Sequence, residues 1–102
     1  MKKAVQIDSK DNVATVTSAV SVEETVQVLS PDGKTVAEIR VSEEVPFGHK
    51  ISLAEVAPGD RVIKYGETIG LASRPIRRGE WVHVHNVESA AVHTSALRRV
   101  GV

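Results

Sequence analysis

The chain of 102 residues contains no cysteine. That excludes a disulfide framework, a thiolate metal cage and a cysteine nucleophile. It leaves the compartment open, and a cytoplasmic location is the expectation. An excess of either charge is also missing: 13 basic side chains balance 13 acidic ones. A nucleic-acid binder working through a strongly basic face is therefore disfavoured. Nowhere do 18 apolar residues run together, so no membrane-spanning helix is expected. The lysines of Met1-Lys2-Lys3 have no long apolar stretch behind them, so no secretory leader is expected either. Aromatic residues are limited to Phe47, Tyr65 and Trp81.

Apolar residues make up 41% and charged residues 25%, which suits one folded domain rather than a disordered chain. Valine and isoleucine dominate the apolar set, and β-branched side chains fit a pleated sheet better than a helix. Alternating runs predict strands at Ala4–Ile7, Val13–Thr17, Thr25–Leu29, Val36–Val41, Arg61–Lys64 and Trp81–His85. Ser30-Pro31-Asp32-Gly33 predicts a hairpin turn, because proline presets one φ and glycine accepts the positive φ that closes it. Pro58-Gly59-Asp60 and Arg77-Arg78-Gly79-Glu80 predict turns of the same kind. One helical turn is expected at Ser52-Leu53-Ala54-Glu55, with serine as cap and Glu55 answering it. A degenerate repeat links Val56–Val62 to Ile76–Val82: an apolar residue, two spacers, glycine, an acid, one residue, then valine. Val20–Val26 fits as a third copy with Glu23 in the glycine position.

The sharpest chemical feature is Trp81-Val82-His83-Val84-His85-Asn86. On a strand, Trp81, His83 and His85 would share one face while Val82 and Val84 enter the core. Same-face neighbours lie roughly 6–7 Å apart at their bases. Two imidazoles at that spacing can converge on a divalent ion or on one substrate group. A catalytic metal usually takes three protein ligands, and the third would come from His49, Glu88 or another chain. The same pattern also describes two solvent-facing histidines on an edge strand. Phe47-Gly48-His49-Lys50 would display an imidazole and an ammonium at the end of a bend, or serve only as a polar loop into Ile51. Lys64-Tyr65-Gly66 would offer a cation and a hydroxyl to an anion or sugar, or a solvated lysine and a core-edge tyrosine. Arg74, Arg77 and Arg78 form a basic run broken by Pro75 and read most simply as a solvated face.

Taken in order, Val45-Pro46-Phe47-Gly48-His49-Lys50-Ile51, Gly59, Val62-Ile63-Lys64-Tyr65-Gly66, Ile69-Gly70, Ala72, Gly79-Glu80 and His83-Val84-His85-Asn86 resemble the SAF domain of the altronate and galactarate dehydratase family. The same small domain forms the α subunit of sulfolactate sulfo-lyase. The resemblance is best across residues 45–87 and weaker toward Asn12-Val13-Ala14-Thr15. It implies an all-β fold of β-clip type, a long hairpin folded over on itself in two places, occupying residues 1–88. Residues 89–102 would form a tail or a segment that docks on a partner.

In the dehydratases the domain often precedes a much larger catalytic domain. Here little chain follows His85-Asn86, so a separate large dehydratase-like subunit is expected to build the active site, with a small hydroxy acid as substrate. The resemblance implies His49, His83 and His85 as base, acid or ligand. It implies Lys50, Lys64, Tyr65 and Asn86 as substrate contacts. A divalent metal, iron or similar, would sit at His83 and His85 in a site shared with another chain. A stand-alone, non-catalytic module binding sugar acids or other carboxylated ligands is the alternative. A purely structural β domain is a third reading, and exposed strand edges in so small a β domain invite homo-oligomers.

Overall fold

A computed structural model describes residues 1–90. Of the expected tail at 89–102, all but Ser89 and Ala90 lie outside the described residues. The architecture is all-β. Strands β1 (Lys2–Val5), β2 (Val13–Val16), β3 (Thr25–Leu29), β4 (Thr35–Arg40), β5 (Lys50–Ser52) and β8 (Trp81–Val82) form one sheet in the order β4-β3-β1-β2-β5-β8. A second sheet joins β6 (Arg61–Lys64), β7 (Glu67–Ala72) and β9 (Val87–Glu88) in the order β6-β7-β9. All pairings are antiparallel except β1 with β3. Among the described residues no helix is long and apolar enough to cross a membrane.

The Ser30–Gly33 hairpin forms as expected, with Gly33 at φ 83° and its N–H donating to Ser30 O at 2.9 Å. The helical turn expected at Ser52–Glu55 does not form. Ser52 ends β5, and its hydroxyl donates to Ala54 O at 2.7 Å, which bends the chain instead of capping a helix. A short serine hydroxyl competes readily for local backbone carbonyls, and here that competition prevails.

The repeat organises the fold, and it has four copies rather than three. Val20 bridges Val45, and Val56 bridges Ile76. Three residues beyond each of these apolar anchors stands a positive φ: Glu23 at 71°, Gly48 at 80°, Gly59 at 86° and Gly79 at 90°. That residue donates its N–H across to Val41 O, Val16 O, Ala72 O or Ser52 O respectively. The next residue donates back three positions, closing each turn. The fourth copy, Val45–Ile51, escapes the sequence pattern because His49 stands where the others carry an acid.

The anchors of the two turn pairs fall in two separate cores. Val20 and Val45 pack with Ala4, Ala14, Val16, Val26, Val28, Ile39, Val41 and Ile51. Val56 and Ile76 pack with Val13, Val62, Ala72 and Val82. Each fully buried valine or isoleucine contributes about 1.5–3 kcal/mol relative to exposure. The cores meet through β2, which sends Val13 to one and Ala14 and Val16 to the other.

A polar corner ties the second sheet to the first. Asp11, only 5% exposed, accepts the N–H groups of Asp8, Tyr65 and Gly66 at 3.1, 3.1 and 2.8 Å. Asn12 completes the tie: its Nδ2 donates to Arg61 O at 2.9 Å and its Oδ1 accepts from Ile63 N at 2.8 Å. A buried carboxylate is tolerable here because three backbone donors replace its water.

Candidate functional site

The β5–β8 register pairs Lys50 with Val82 and Ile51 with Trp81. Continued by one residue, it sets His49 opposite His83. Their ring centroids are 4.5 Å apart. Trp81 lies against both, 5.6 Å from His49 and 5.6 Å from His83, nearly parallel to the latter. His85 packs on the indole from 4.9 Å. Four rings from two separate segments thus form one cluster. The indole Nε1–H donates to His49 Nδ1 at 3.1 Å.

The strand expected over Trp81–His85 ends at Val82. His83–Asn86 is a turn, and Val84, expected in the core, is 81% exposed. Asn86 is the cause. Its side chain is 1% exposed, Nδ2 donates to Trp81 O at 2.9 Å, and Oδ1 accepts from His83 N at 3.0 Å. An asparagine side chain mimics a peptide group, so it can close a turn that alternation reads as strand. Asn86 therefore sits differently from the expected substrate contact: both ends of its amide hold the loop that carries the histidines. Arg74 supports the same loop by donating to His85 O at 2.8 Å.

A cleft of about 340 Å³ opens beside the rings, lined by Lys50, His83, Ile69, Val84, Val87, Glu88 and Ser89. Burial, and then the charge of Lys64, pushes the Lys50 ammonium below its ordinary range. Among the described residues Lys50 forms no ion pair. His83 is also held below the ordinary imidazole value, by burial first and then by His49, Lys50 and His85. The cleft thus offers a half-buried cation and an imidazole biased toward its neutral form. Lys64 at the end of β6 and Tyr65 in the β6–β7 turn lie outside this lining, with Tyr65 at φ 58° and 61% exposed and the Lys64 ammonium 5.0 Å above its ring.

Sequence spacing suggested the pair His83 and His85. The fold makes His49 and His83 the close pair, with Trp81 as their common neighbour. Nothing in local alternation signals this; only the repeat register, with His49 and Glu80 at equivalent places, aligns the two segments. Among the described residues no three His, Asp or Glu side chains converge as a metal-binding group. One nitrogen of His49 is already taken by the indole. The donor set of the described residues therefore falls short of a closed metal site.

Comparison with known proteins adds a family context. The family model for the altronate/galactarate dehydratase SAF domain matches residues 2–90. The chain is 42% identical over 52 residues to the (2R)-sulfolactate sulfo-lyase subunit alpha of Chromohalobacter salexigens, covering 51% of this chain and 55% of that one. It is 33% identical over 89 residues to altronate dehydratase of Bacillus subtilis, covering 87% of this chain and 17% of the relative. To galactarate dehydratase (L-threo-forming) of Escherichia coli it is 31% identical over 96 residues, covering 91% and 17%. The chain thus spans about half of the sulfo-lyase subunit and a small part of each dehydratase.

Proposed function

The chain belongs to the altronate/galactarate dehydratase SAF domain family, and from that premise we propose that it serves as the small subunit of a two-component hydroxy-acid lyase. In this reading it lines or closes an active site that a separate large subunit builds. The observation that carries the reading is the ring cluster of His49, Trp81, His83 and His85 beside a cleft holding the half-buried Lys50.

The chemistry follows from what such a reaction needs. Removing water or sulfite from a hydroxy acid requires loss of a proton beside a carboxylate. Negative charge then builds on oxygens that are already anionic, and a cation or preorganised donor must offset it. Lys50 suits the carboxylate: its ammonium has lost part of its hydration and is repelled by Lys64, and a bound anion relieves both. His83 suits the proton, since an imidazole biased toward neutrality has a lone pair available near pH 7. The apolar wall of Ile69, Val84 and Val87 suits contact with the large subunit, which would exclude water.

Among the described residues the donors do not complete a metal site. A metal at His83 and His85, finished by ligands of the large subunit, would take the lone pair that proton abstraction needs, so it is the competing assignment for His83. After dialysis the chain alone should retain no stoichiometric divalent ion.

Co-expression with a large dehydratase-like chain encoded nearby should give a stoichiometric complex that eliminates water or sulfite from a hydroxy acid. Activity unchanged by omitting this chain would overturn the proposal. Saturable binding of aldonates or aldarates by the chain alone, with no large-subunit partner, would favour the non-catalytic binding module instead.

A further inference from the structure

The histidines of the cluster differ in one respect. An indole N–H can only donate, so the contact from Trp81 Nε1 to His49 Nδ1 at 3.1 Å occupies that nitrogen's lone pair. The proton of the neutral His49 ring must then sit on Nε2. No side-chain hydrogen bond among the described residues constrains the rings of His83 or His85 in this way. Trp81 is itself held firmly. Its backbone N–H donates to Glu43 Oε2 at 3.1 Å, its backbone carbonyl accepts from Asn86 at 2.9 Å, and it pairs with Ile51 of β5.

We propose that Trp81 is a positioning residue that locks His49 as the Nε2–H tautomer, making His49 a hydrogen-bond donor to a substrate oxygen and not the base. With Nδ1 engaged by the indole and Nε2 carrying hydrogen, the neutral ring has no vacant lone pair with which to take a proton. His49 transfers none: it donates one hydrogen bond and keeps its hydrogen throughout. Proton abstraction falls to His83, the neighbouring ring, which is free to present either nitrogen. The ligand class is an oxygen-bearing anion such as a hydroxy-acid carboxylate; His49 Nε2–H meets it from the ring cluster, beside His83, the ring that also lines the cleft holding Lys50. The tautomer stands on the hydrogen bond alone; its catalytic meaning rests on the lyase reading above.

The first test needs no substrate. In the nitrogen-15-labelled full chain, above the imidazole titration range, NMR should show a scalar coupling across the hydrogen bond from Trp81 Nε1 to His49 Nδ1, with the ring hydrogen on Nε2. Absence of that coupling, or a hydrogen on Nδ1, overturns the proposal. Trp81→Phe should abolish the coupling and shift the His49 Nδ1 resonance while leaving the backbone spectrum of β5 in place. The second test uses the complex with its large subunit. His49→Gln keeps a donor and should retain kcat within about tenfold, whereas His49→Phe should lose about a hundredfold, the usual cost of one oxyanion donor. Equal inactivity of the two would assign His49 the base role and overturn the proposal. Failure of the lyase reading would look different: no turnover with any large subunit, and the indole–imidazole coupling intact.

Discussion

The turn at Val45–His49 and the turn at Ile76–Glu80 share one backbone and do different work. Each has a buried anchor, two spacers, a glycine at positive φ and a closing residue. At Ile76–Glu80 the closing residue is an acid, and Glu80 Oε1 accepts the N–H of Arg77 at 2.9 Å. Glu24 does the same for Ser21 at 2.7 Å in the first turn. At Val45–His49 the corresponding residue is Pro46, which has no N–H to satisfy. No acid is needed to close that turn, and position 49 is free to carry an imidazole into the ring cluster. Removing one backbone donor thus releases a structural position for chemistry.

The largest test of this comparison lies in the glycines. A Cβ on Gly79 would stand 2.5 Å from Arg40 O, whereas one on Gly48 would meet nothing within 4 Å. Gly79→Ala should therefore cost about 2–4 kcal/mol, combining steric conflict with the left-handed backbone penalty. Gly48→Ala should cost only the penalty, about 1–2 kcal/mol. Urea denaturation of the two variants measures the difference. Equal losses would mean that the two turns are packed alike.

Removing a closing acid comes next. Glu80→Ala orphans the Arg77 N–H and should cost about 1 kcal/mol, in the range of a lost helix cap. His49→Ala removes no such closure; its cost, of similar size, should come from the Trp81 Nε1–H left without its acceptor.

A pH series separates the imidazole side of the comparison from the acid side. The fold disfavours the charged form of His83, so its pKa lies below the ordinary 6.5. As pH falls from 7.5 the unfolded chain takes up its proton first. Stability present above 6.5 should therefore decline as pH drops toward the lower folded value. His83→Gln should flatten this part of the stability profile, read as the thermal midpoint against pH.

The smallest effect belongs to Glu23, the one non-glycine at the positive-φ position of the four turns. Glu23→Gly should relieve backbone strain of about 1 kcal/mol. It also removes the exposed pair with Arg40 at 3.0 Å, worth about 0.5 kcal/mol. The net should be a rise in the urea midpoint too small to change the cooperativity of unfolding.

Much of the fold was legible because its signals are local. Alternation located β3 and β6 to the residue, and Pro31-Asp32-Gly33 located its hairpin. The short strands β5 and β9 were not separated from their surroundings, because their pairing comes from distant segments. Val84 was misplaced because alternation continued past the point where the Asn86 side chain closes a turn. The histidines were legible as residue types, but not the partnership of His49 with His83 across 34 positions of chain. That depends on strand register, which one sequence reveals only when both copies of a repeat are aligned. Trp81 was read as a face-mate of the histidines, and its role as donor to His49 needed the geometry.

The tie between the first corner and the β6–β7 hairpin has a kinetic consequence. Asp11 and Asn12 grip backbone groups 49 to 55 positions away. Closing a loop of that length consumes entropy before any contact rewards it. During synthesis the corner stays open, its carboxylate hydrated, until Gly66 has emerged. The tie between the two sheets therefore cannot close before β6 and the β6–β7 turn have both been made.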